Sequence, residues 1–286
     1  MGNVFPGYRG WANIEGVGPV RFGDASITAK QEIVAPDMIM GDWDHDAYYY
    51  GPIEVGGSIS GPVTETFAKA NGLWDWGVKR VGCGVLSTGT ITLYYYCGST
   101  GNRARAFTGM TCNSLNFSCT AGDVANFSID VLGASAGPWL TSDPILFSSP
   151  EKLITWDKVF VRASGGGPGG SALTTVNYSN FDFTISNNLE TVYSLSQSDL
   201  FPFEIVPGLR TITGTLSVYN IPQADGVTNW SNYAAGTTSQ IEFSIGGLSI
   251  TMKVQFHRIE PASSVGPIIS TLGFTGVTHQ TGTGWV

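Results

Sequence analysis

Alternation of apolar and polar residues, the pattern of strands with one buried face, is clearest in the second half of the chain. Phe183–Leu189 reads FTISNNL and Arg210–Tyr219 reads RTITGTLSVY, both rich in Thr and Ile. Pro207–Gly208 and Pro222 mark turns beside them. We therefore predict two long antiparallel strands whose exposed edges are continued by another subunit.

Segments with a similar pattern predict strands along the rest of the chain. They are Val20–Met40, Ile53–Ser60, Thr90–Cys97, Leu115–Cys119, Val124–Leu132, Leu153–Val161, Gln240–Ile245, Leu248–His257 and Pro267–Phe274. Gly246–Gly247 predicts a hairpin turn between two of these strands. Residues 134–150 are rich in small residues and predict a linker.

Helical signals are few, as the composition leads one to expect. Among 286 residues, 38 are Gly and 14 are Pro, while 13% are charged, which is low for a globular protein. The helix candidate Thr64–Asn71 has Leu73, Trp74 and Trp76 as its apolar side. Asp225–Ala235 predicts a short helix or a compact loop. The fold class predicted is all-β.

The two halves repeat a similar pattern of residues, which predicts an internal duplication. The offset is 156 or 157 residues over most of the length and 140 at the end. The matched positions are Ile27 with Phe183, Ile33 with Leu189, Gly57–Ser60 with Gly214–Ser217, Trp74 with Trp230, and Val131–Gly133 with Thr271–Gly273. We predict one unit over residues 1–140, with an N-terminal arm that either docks on a neighbour or is loosely packed. A second unit, residues 141–286, carries a Gly-rich loop at Gly165–Gly170 and a C-terminal tail.

Four stretches resemble the tail tube proteins of long-tailed bacteriophages. They are Glu32–Asp37, Val55–Pro62, Phe183–Glu190 and Pro207–Gly214. The resemblance implies a β-sandwich or small barrel in each unit, with one short flanking helix. It also implies that hairpins of neighbouring subunits join into a continuous inner β-barrel around a central channel.

The same resemblance implies a function and a set of partners. Rings stack into a tail tube that encloses the tape measure protein and later provides the channel for DNA ejection. The expected partners are further copies of the chain, the tape measure protein, the tail terminator and the distal tail or baseplate proteins. The protein is expected to be made in the host cytoplasm and to end in the virion tail, as a structural protein and not an enzyme.

Two units in one chain change the ring that is expected, because the family commonly uses six chains. If each unit gives four strands to the channel, spaced about 4.8 Å apart and tilted about 40°, each strand takes roughly 6 Å of circumference. Three chains then enclose a backbone diameter of about 50 Å and leave about 40 Å free, enough for duplex DNA, whereas six chains would enclose roughly 95 Å. We predict a trimeric, pseudo-hexameric ring, with a hexamer as the second choice.

The charge balance suits a channel that does not hold DNA. With 14 Lys and Arg against 22 Asp and Glu, the net charge is −8, and no basic run is present. Tight nucleic-acid binding needs cations that displace phosphate counterions, so we expect DNA to pass without specific binding. We also expect no membrane span and no secretion signal. The four cysteines, Cys83, Cys97, Cys112 and Cys119, could pair, but free buried thiols are the expectation in a cytoplasmic product.

Two loops at equivalent places are candidates for contact with the next ring: Gly41–Gly51 and Tyr193–Pro202. Aromatic residues suit protein interfaces, although packing within their own subunit is the alternative for these side chains. The candidate contact residues are Asp42, Trp43, Asp44, Asp46, Tyr48, Tyr49, Tyr50, Phe201 and Phe203.

No catalytic, cofactor or metal site is predicted. Gly133–Gly137 matches the Gly-x-Ser-x-Gly of a nucleophile elbow, but Pro138 follows where that elbow needs a helix. The acidic run that starts at Asp42 lacks the Gly and the final Glu of a calcium loop. Two alternative functions stay open: a carbohydrate-binding β-sandwich with Trp-lined sites, and another ring-forming tail protein such as a hub or a terminator.

Overall fold

The computed structural model of the chain describes residues 10–34, 49–69, 73, 76–78, 80–81, 85–95, 103–141, 152–164, 173–175, 178–195, 200–219, 238–257 and 269–277. These residues are mostly β-strand, and every strand pair among them is antiparallel. The all-β prediction is confirmed.

Twelve strands lie in the first half of the described chain. They are β1 (Gly10–Ile14), β2 (Gly18–Arg21), β3 (Asp24–Ala25), β4 (Thr28–Val34), β5 (Tyr49–Pro62), β6 (Arg80–Val81), β7 (Val85–Leu86), β8 (Gly89–Tyr95), β9 (Arg103–Thr120), β10 (Asn126–Gly133), β11 (Ser135–Ala136) and β12 (Leu140–Thr141). Helix α1 (Glu65–Lys69) follows β5 and confirms the predicted helix, although it is shorter. The Thr64 hydroxyl accepts a hydrogen bond from the Phe67 N–H and so caps the first turn.

Nine strands lie in the second half. They are β13 (Val159–Ser164), β14 (Leu173–Thr175), β15 (Tyr178–Ser186), β16 (Leu189–Val192), β17 (Glu204–Pro207), β18 (Thr211–Tyr219), β19 (Thr238–Ile245), β20 (Leu248–Phe256) and β21 (Ile269–Gly276). The hairpin predicted across Gly246–Gly247 is present as β19 and β20. Both glycines have a positive φ, 59° and 116°, as the tight turn requires.

Three predicted segments differ from the structure. The strand predicted over Leu115–Cys119 is the end of the 18-residue β9. Leu153–Val161 is strand only from Val159, because a 3-10 turn (Trp156–Lys158) comes first. The segment predicted as a linker begins with two short strands, β11 and β12, whose backbone groups are paired with β9.

Both halves pair their strands in the same order. The first half runs β4–β5–β10–β9–β8–β1–β2 across the sheet. The second half runs β15–β18–β21–β20–β19–β13–β14. Equivalent strands also follow one another in the same sequence order, which is the arrangement a duplicated unit produces. The division at residues 140 and 141 stays our proposal.

The pairing register tests the individual matches between the halves. Thr28 pairs with Gly56, so Ile27 faces Gly57, just as Phe183 pairs with Gly214. The offsets of 156 and 157 therefore agree with the register. Val131 pairs with Gly57 and Phe274 with Gly214, so Phe274 is the counterpart of Val131. The predicted match of Val131–Gly133 with Thr271–Gly273 is three residues out, because a shared Leu-Gly pair misaligned two strand faces.

Strand β9 joins the two halves into one sheet. Its residues 103–110 pair with β8, and its residues 114–120 pair with β15 from the other half. Gly109, with a φ of 63°, lies near the change of partner. Eight strands thus form a continuous run, β4–β5–β10–β9–β15–β18–β21–β20, to which each half gives four.

The prediction of exposed edges on the Phe183 and Arg210 strands is wrong. These strands, β15 and β18, do pair with each other as predicted. However, the outer edge of β15 is occupied by β9, and that of β18 by β21. Unpaired backbone groups in the middle of a large sheet would be costly, and the chain satisfies them itself.

Candidate functional site

One face of the eight-strand run is polar from end to end. A single cross-strand row on this face consists of Ser60, Ser128, Asn116, Thr184, Thr213, Thr275 and Gln255, from β5 to β20, and it is extended by Asp24 of β3, which precedes β4 along the same edge of β5, so that the row has eight residues. All eight side chains are half-buried or exposed. The row crosses the boundary between the halves without an apolar member.

The opposite face of the same strands is aromatic. The neighbouring row consists of Gly61, Phe127, Phe117, Phe183, Gly214, Phe274 and Phe256. The rings of Phe117 and Phe183 are 5.6 Å apart across the junction of the halves, and Phe243 of β19 packs on Phe183 at 4.6 Å. Buried aromatic contacts of this kind hold the sheet at a fixed curvature and keep its polar face outward.

Side-chain hydrogen bonds tie the polar face together at the junction. The Asn116 amide donates to Asp182 Oδ2 at 3.2 Å, to the Phe183 carbonyl at 3.2 Å and to Thr184 Oγ1 at 2.9 Å. The Ser114 hydroxyl donates to Asp130 Oδ2 at 2.5 Å. These bonds fix both carboxylates in the plane of the polar face.

Positive charge is missing from the centre of this face. The strands β5, β10, β15, β18 and β21, and residues 111–120 of β9, contain no Lys or Arg, while they carry Glu54, Asp130 and Asp182. Lys30 lies at one margin, on β4, and Lys253 at the other, on β20. A wall of hydroxyls, amides and a few carboxylates repels phosphate and offers no cation to hold it. The run of strands without cations was visible in the sequence, but the facing of Asp130 and Asp182 needed the register.

A buried polar cluster, which the sequence did not predict, locks the second half onto the first. Asn187 is fully buried, and its amide donates to the carbonyls of Gly77 (3.0 Å) and Cys112 (2.9 Å). The Arg210 guanidinium donates to Asn187 Oδ1 at 2.9 Å and also to the Val78 carbonyl. Every polar atom of the Asn187 side chain is therefore engaged, as a buried amide requires. No sequence motif distinguishes this Asn from a turn residue.

Exposed apolar side chains are frequent on β16, β17 and the described parts of their connection, residues 189–195 and 200–209, which we call the hairpin arm. Its exposed large side chains are Val192, Tyr193, Leu195, Leu200, Phe203, Val206 and Leu209. The arm rests on β5, since the Ile53 N–H donates to the Leu200 carbonyl at 2.7 Å. Seven exposed apolar side chains on one arm form the kind of patch that marks a protein interface.

The predicted contact residues fall into three groups. Tyr49 and Tyr50 open strand β5 instead of lying in a loop, because they pair with Val34 and Ile33. Tyr50 is 69% exposed and Phe203 is 63% exposed, whereas Phe201 packs partly against the core. The remaining candidates, which lie outside the described residues, are Asp42, Trp43, Asp44, Asp46 and Tyr48.

Two cysteines can be located, and both are free and buried in β9, as predicted. Burial raises the pKa of the Cys112 thiol to about 12 and that of Cys119 to about 11. Nearby carboxylates, Asp130 and Asp123 respectively, add to the effect because they disfavour a thiolate. Neither thiol is therefore set up as a nucleophile.

The serine of the Gly133–Gly137 motif lies in a strand and not on an elbow. Ser135 belongs to β11 and pairs with Thr108, whose hydroxyl is 2.5 Å from its own. Within the described part of the chain, no group of three or more His, Cys, Asp or Glu side chains could hold a metal ion. The described helices include none with the length and apolar character needed to cross a membrane.

Comparisons with known proteins identify the family to which the chain belongs. Residues 6–276 match the family model described as phage tail tube protein. Among solved structures, the chain is similar to a sheath/tube terminator of an extracellular contractile injection system in its extended state, with 15% identity, a TM-score of 0.38, and coverage of 48% of this chain and 96% of that one. No curated protein matches the chain. Since the family model spans nearly the whole sequence, the chain belongs to the phage tail tube protein family.

Proposed function

We propose that this chain polymerises as stacked rings into the tail tube, encloses the tape measure protein and forms the channel through which DNA is ejected. The family is one of structural tail proteins that form stacked assemblies with other tail components. The polymer, its contents and its further partners, the tail terminator and the distal tail or baseplate proteins, are our extension of that membership.

The observation that carries the proposal is the polar face of the eight-strand run. A sheet that is aromatic on one side and hydroxyl-rich on the other has the chemistry of a channel wall, since β5, β10, β15, β18, β21 and residues 111–120 of β9 carry no cation. DNA would slide past Ser, Thr and Asn side chains without ion pairs, while Asp130 and Asp182 repel its phosphates. We place this face toward the lumen.

The strand count supports a ring of three chains. Each half gives four strands to the continuous run, so one chain gives eight. At roughly 6 Å of circumference per tilted strand, three chains close a barrel about 50 Å in backbone diameter, which admits duplex DNA. A hexamer would need half of these strands to face away from the channel.

We place the contact between rings at the hairpin arm and at the neighbouring end of β5. Tyr50 lies three positions along β5 from Ile53, where the arm rests, and the side chains of Tyr50 and Phe203 are both exposed. An apolar patch at the end of a ring is covered when the next ring stacks on it.

Electron microscopy of the purified protein tests the proposal. We expect hollow filaments of regular rings, with three subunits per ring by native mass measurement of dissociated rings. Phe203→Asp should yield rings that do not stack, while Glu204→Gln, on the neighbouring exposed residue, should leave filaments intact. A monomer that binds glycans and forms no ring would overturn the proposal in favour of a carbohydrate-binding module, and single rings that never stack would favour a terminator.

A further inference from the structure

A cleft of about 870 Å³ opens in the polar face where the eight-strand run meets the hairpin arm. Strand β15 ends at Ser186, and the chain leaves the sheet there and begins the arm at Leu189. Residues 189–191 at the base of the arm form one wall of the cleft, while β4, β5 and β10 form its floor. Clefts of this size are typical of binding sites.

The pairing register places the floor of the cleft on the polar face. Thr28 pairs with Gly56, and Gly56 pairs with Leu132, so these three residues form one cross-strand row. On β5 and β10 this row lies four residues along the strand from Ser60 and Ser128, which belong to the polar row described above. Residues an even number of positions apart in a strand share a face, so the cleft opens on the side that the proposed function turns toward the channel.

The lining of the cleft differs in chemistry from the polar row. Leu132 of the floor and Leu189 of the wall are apolar and half-buried. Lys30 pairs with Glu54 across β4 and β5, and Glu190 is exposed on the wall. The cleft therefore combines two aliphatic side chains with two carboxylates and one ammonium group, whereas the polar row has no apolar member.

The charges of the lining indicate which kind of ligand fits. Glu54 and Glu190 outnumber Lys30, so the cleft repels phosphate and attracts a cationic group. Leu132 and Leu189 offer apolar contact beside these carboxylates. A protein segment that carries Lys or Arg next to apolar side chains matches both features. A second copy of the chain is less complementary, because its net charge is −8.

We propose that this cleft holds a basic, apolar segment of the protein enclosed in the tube and so attaches that protein to the channel wall before DNA passes. The inference rests on the proposed function, because it takes the polar face to line the channel and the tape measure protein to occupy it. The cleft is then a point of attachment in a wall whose polar row offers hydroxyls, amides and one carboxylate.

Cross-linking in purified tails tests the site. Thr28→Cys places a thiol on the floor of the cleft, and Thr215→Cys places one on the polar face beside Asp182, outside the cleft. Both thiols are labelled with a benzophenone maleimide and irradiated. We expect about tenfold more product with the tape measure protein from residue 28 than from residue 215, because a bound segment is held at high local concentration. The unmodified chain, treated in the same way, measures the background from the native cysteines.

A reversal of charge tests the chemistry of the ligand. Glu54→Lys replaces one carboxylate of the cleft by an ammonium group, and Asp182→Lys makes the same change on the polar face outside the cleft. Each is combined with Thr28→Cys and labelled as before. We expect Glu54→Lys to lower the yield of product with the tape measure protein by about tenfold, because like charges then meet in the cleft, and Asp182→Lys to leave the yield unchanged.

The outcomes separate this inference from the proposed function. If residue 28 yields product only with a second copy of the chain, or no more product with the tape measure protein than residue 215 does, the cleft is not its attachment site and the inference is overturned. Equal losses in Glu54→Lys and Asp182→Lys would overturn the assigned charge of the ligand. In each of these cases the proposed function stands as long as the tails enclose the tape measure protein. Tails of the unmodified chain that enclose no protein would contradict the proposed function itself.

Discussion

At equivalent positions just after β15 in the second half and in β4 of the first half, the two halves differ in the burial of a polar side chain. In the second half this point is Asn187, which is fully buried and bonded to carbonyls of the first half. In the first half it is Gln31, which is exposed on the side of β4 that pairs with none of the described strands. If the two halves derive from the proposed duplication, the second copy has become specialised for contact with the first. The second half thus makes a buried polar contact with the first half that the first half does not repeat at its equivalent position.

In both halves a glycine allows the neighbouring strand to approach closely, at Gly57 in the first half and at Gly214 in the second. A Cβ at Gly57 would lie 2.7 Å from the Ile27 Cα, and one at Gly214 would lie 2.7 Å from the Asp182 carbonyl oxygen. Gly57 also has a φ of 149°, which residues with a Cβ rarely adopt. We expect Gly57→Ala to cost about 4 kcal/mol of unfolding free energy and Gly214→Ala about 2 kcal/mol, since only the first adds backbone strain.

Urea titration of both variants measures these values. Gly122→Ala is the control, because Gly122 also has a positive φ but no atom lies within 4 Å of the Cβ that the substitution adds. If both substitutions lower the unfolding free energy by a small and equal amount, then the close approaches at Gly57 and Gly214 do not constrain the fold.

Removing the buried amide of the second half should lower the unfolding free energy far more than the equivalent substitution in the first half. Asn187→Leu leaves the Gly77 and Cys112 carbonyls and the Arg210 guanidinium without their partner in a buried site. We expect a loss of about 3 kcal/mol in unfolding free energy. Gln31→Leu, at the equivalent exposed position, should change stability by less than about 0.5 kcal/mol. Comparable effects from the two variants would contradict the specialisation of the second half.

Titration of thiols reports on the first half alone, because the second half contains no cysteine. Burial raises the pKa of Cys112 to about 12 and that of Cys119 to about 11, so the folded chain keeps protons that the unfolded chain loses at lower pH. Stability is then fully present below about pH 8.5 and falls as the pH rises toward the folded values, with a loss of roughly 1 kcal/mol or more by pH 10.5. Denaturation at pH 8 and pH 10.5 measures the loss, and Cys112→Ala should reduce it. A pH dependence unchanged in that variant would show that Cys112 contributes nothing to it.

Much of this architecture could be predicted from residue patterns, and the parts that could not have physical reasons. Alternation predicted β15, β18 and the hairpin at Gly246–Gly247, because successive side chains of a strand point to opposite faces, and burial of one face makes every second residue apolar. The residues of a strand do not show which other strand pairs with its edge, so the pairing of β15 with β9 was not predicted. The polar face needed the register, since a shift of one residue exchanges Asp182 with Phe183. Most of the predicted contact loop around Asp42 lies outside the described residues, so its role stays a prediction.

Substitutions at Asp130 and Asp182 should have the smallest effect on stability. Each half contributes one of these two carboxylates to the polar face. Asp130→Lys and Asp182→Lys should each alter unfolding free energy and ring assembly little, by about 0.5 kcal/mol or less, because both side chains are exposed. Each introduces a ring of cations into the proposed channel, so phages that carry either variant should eject DNA more slowly in vitro, and added salt should restore the rate by screening. Asp157→Lys on the 3-10 turn Trp156–Lys158, exposed and away from both the eight-strand run and the hairpin arm, provides the control for an added charge. If only one of the two Asp variants slows ejection, then the two halves do not line the channel alike, and a hexamer with one half turned away becomes the better arrangement.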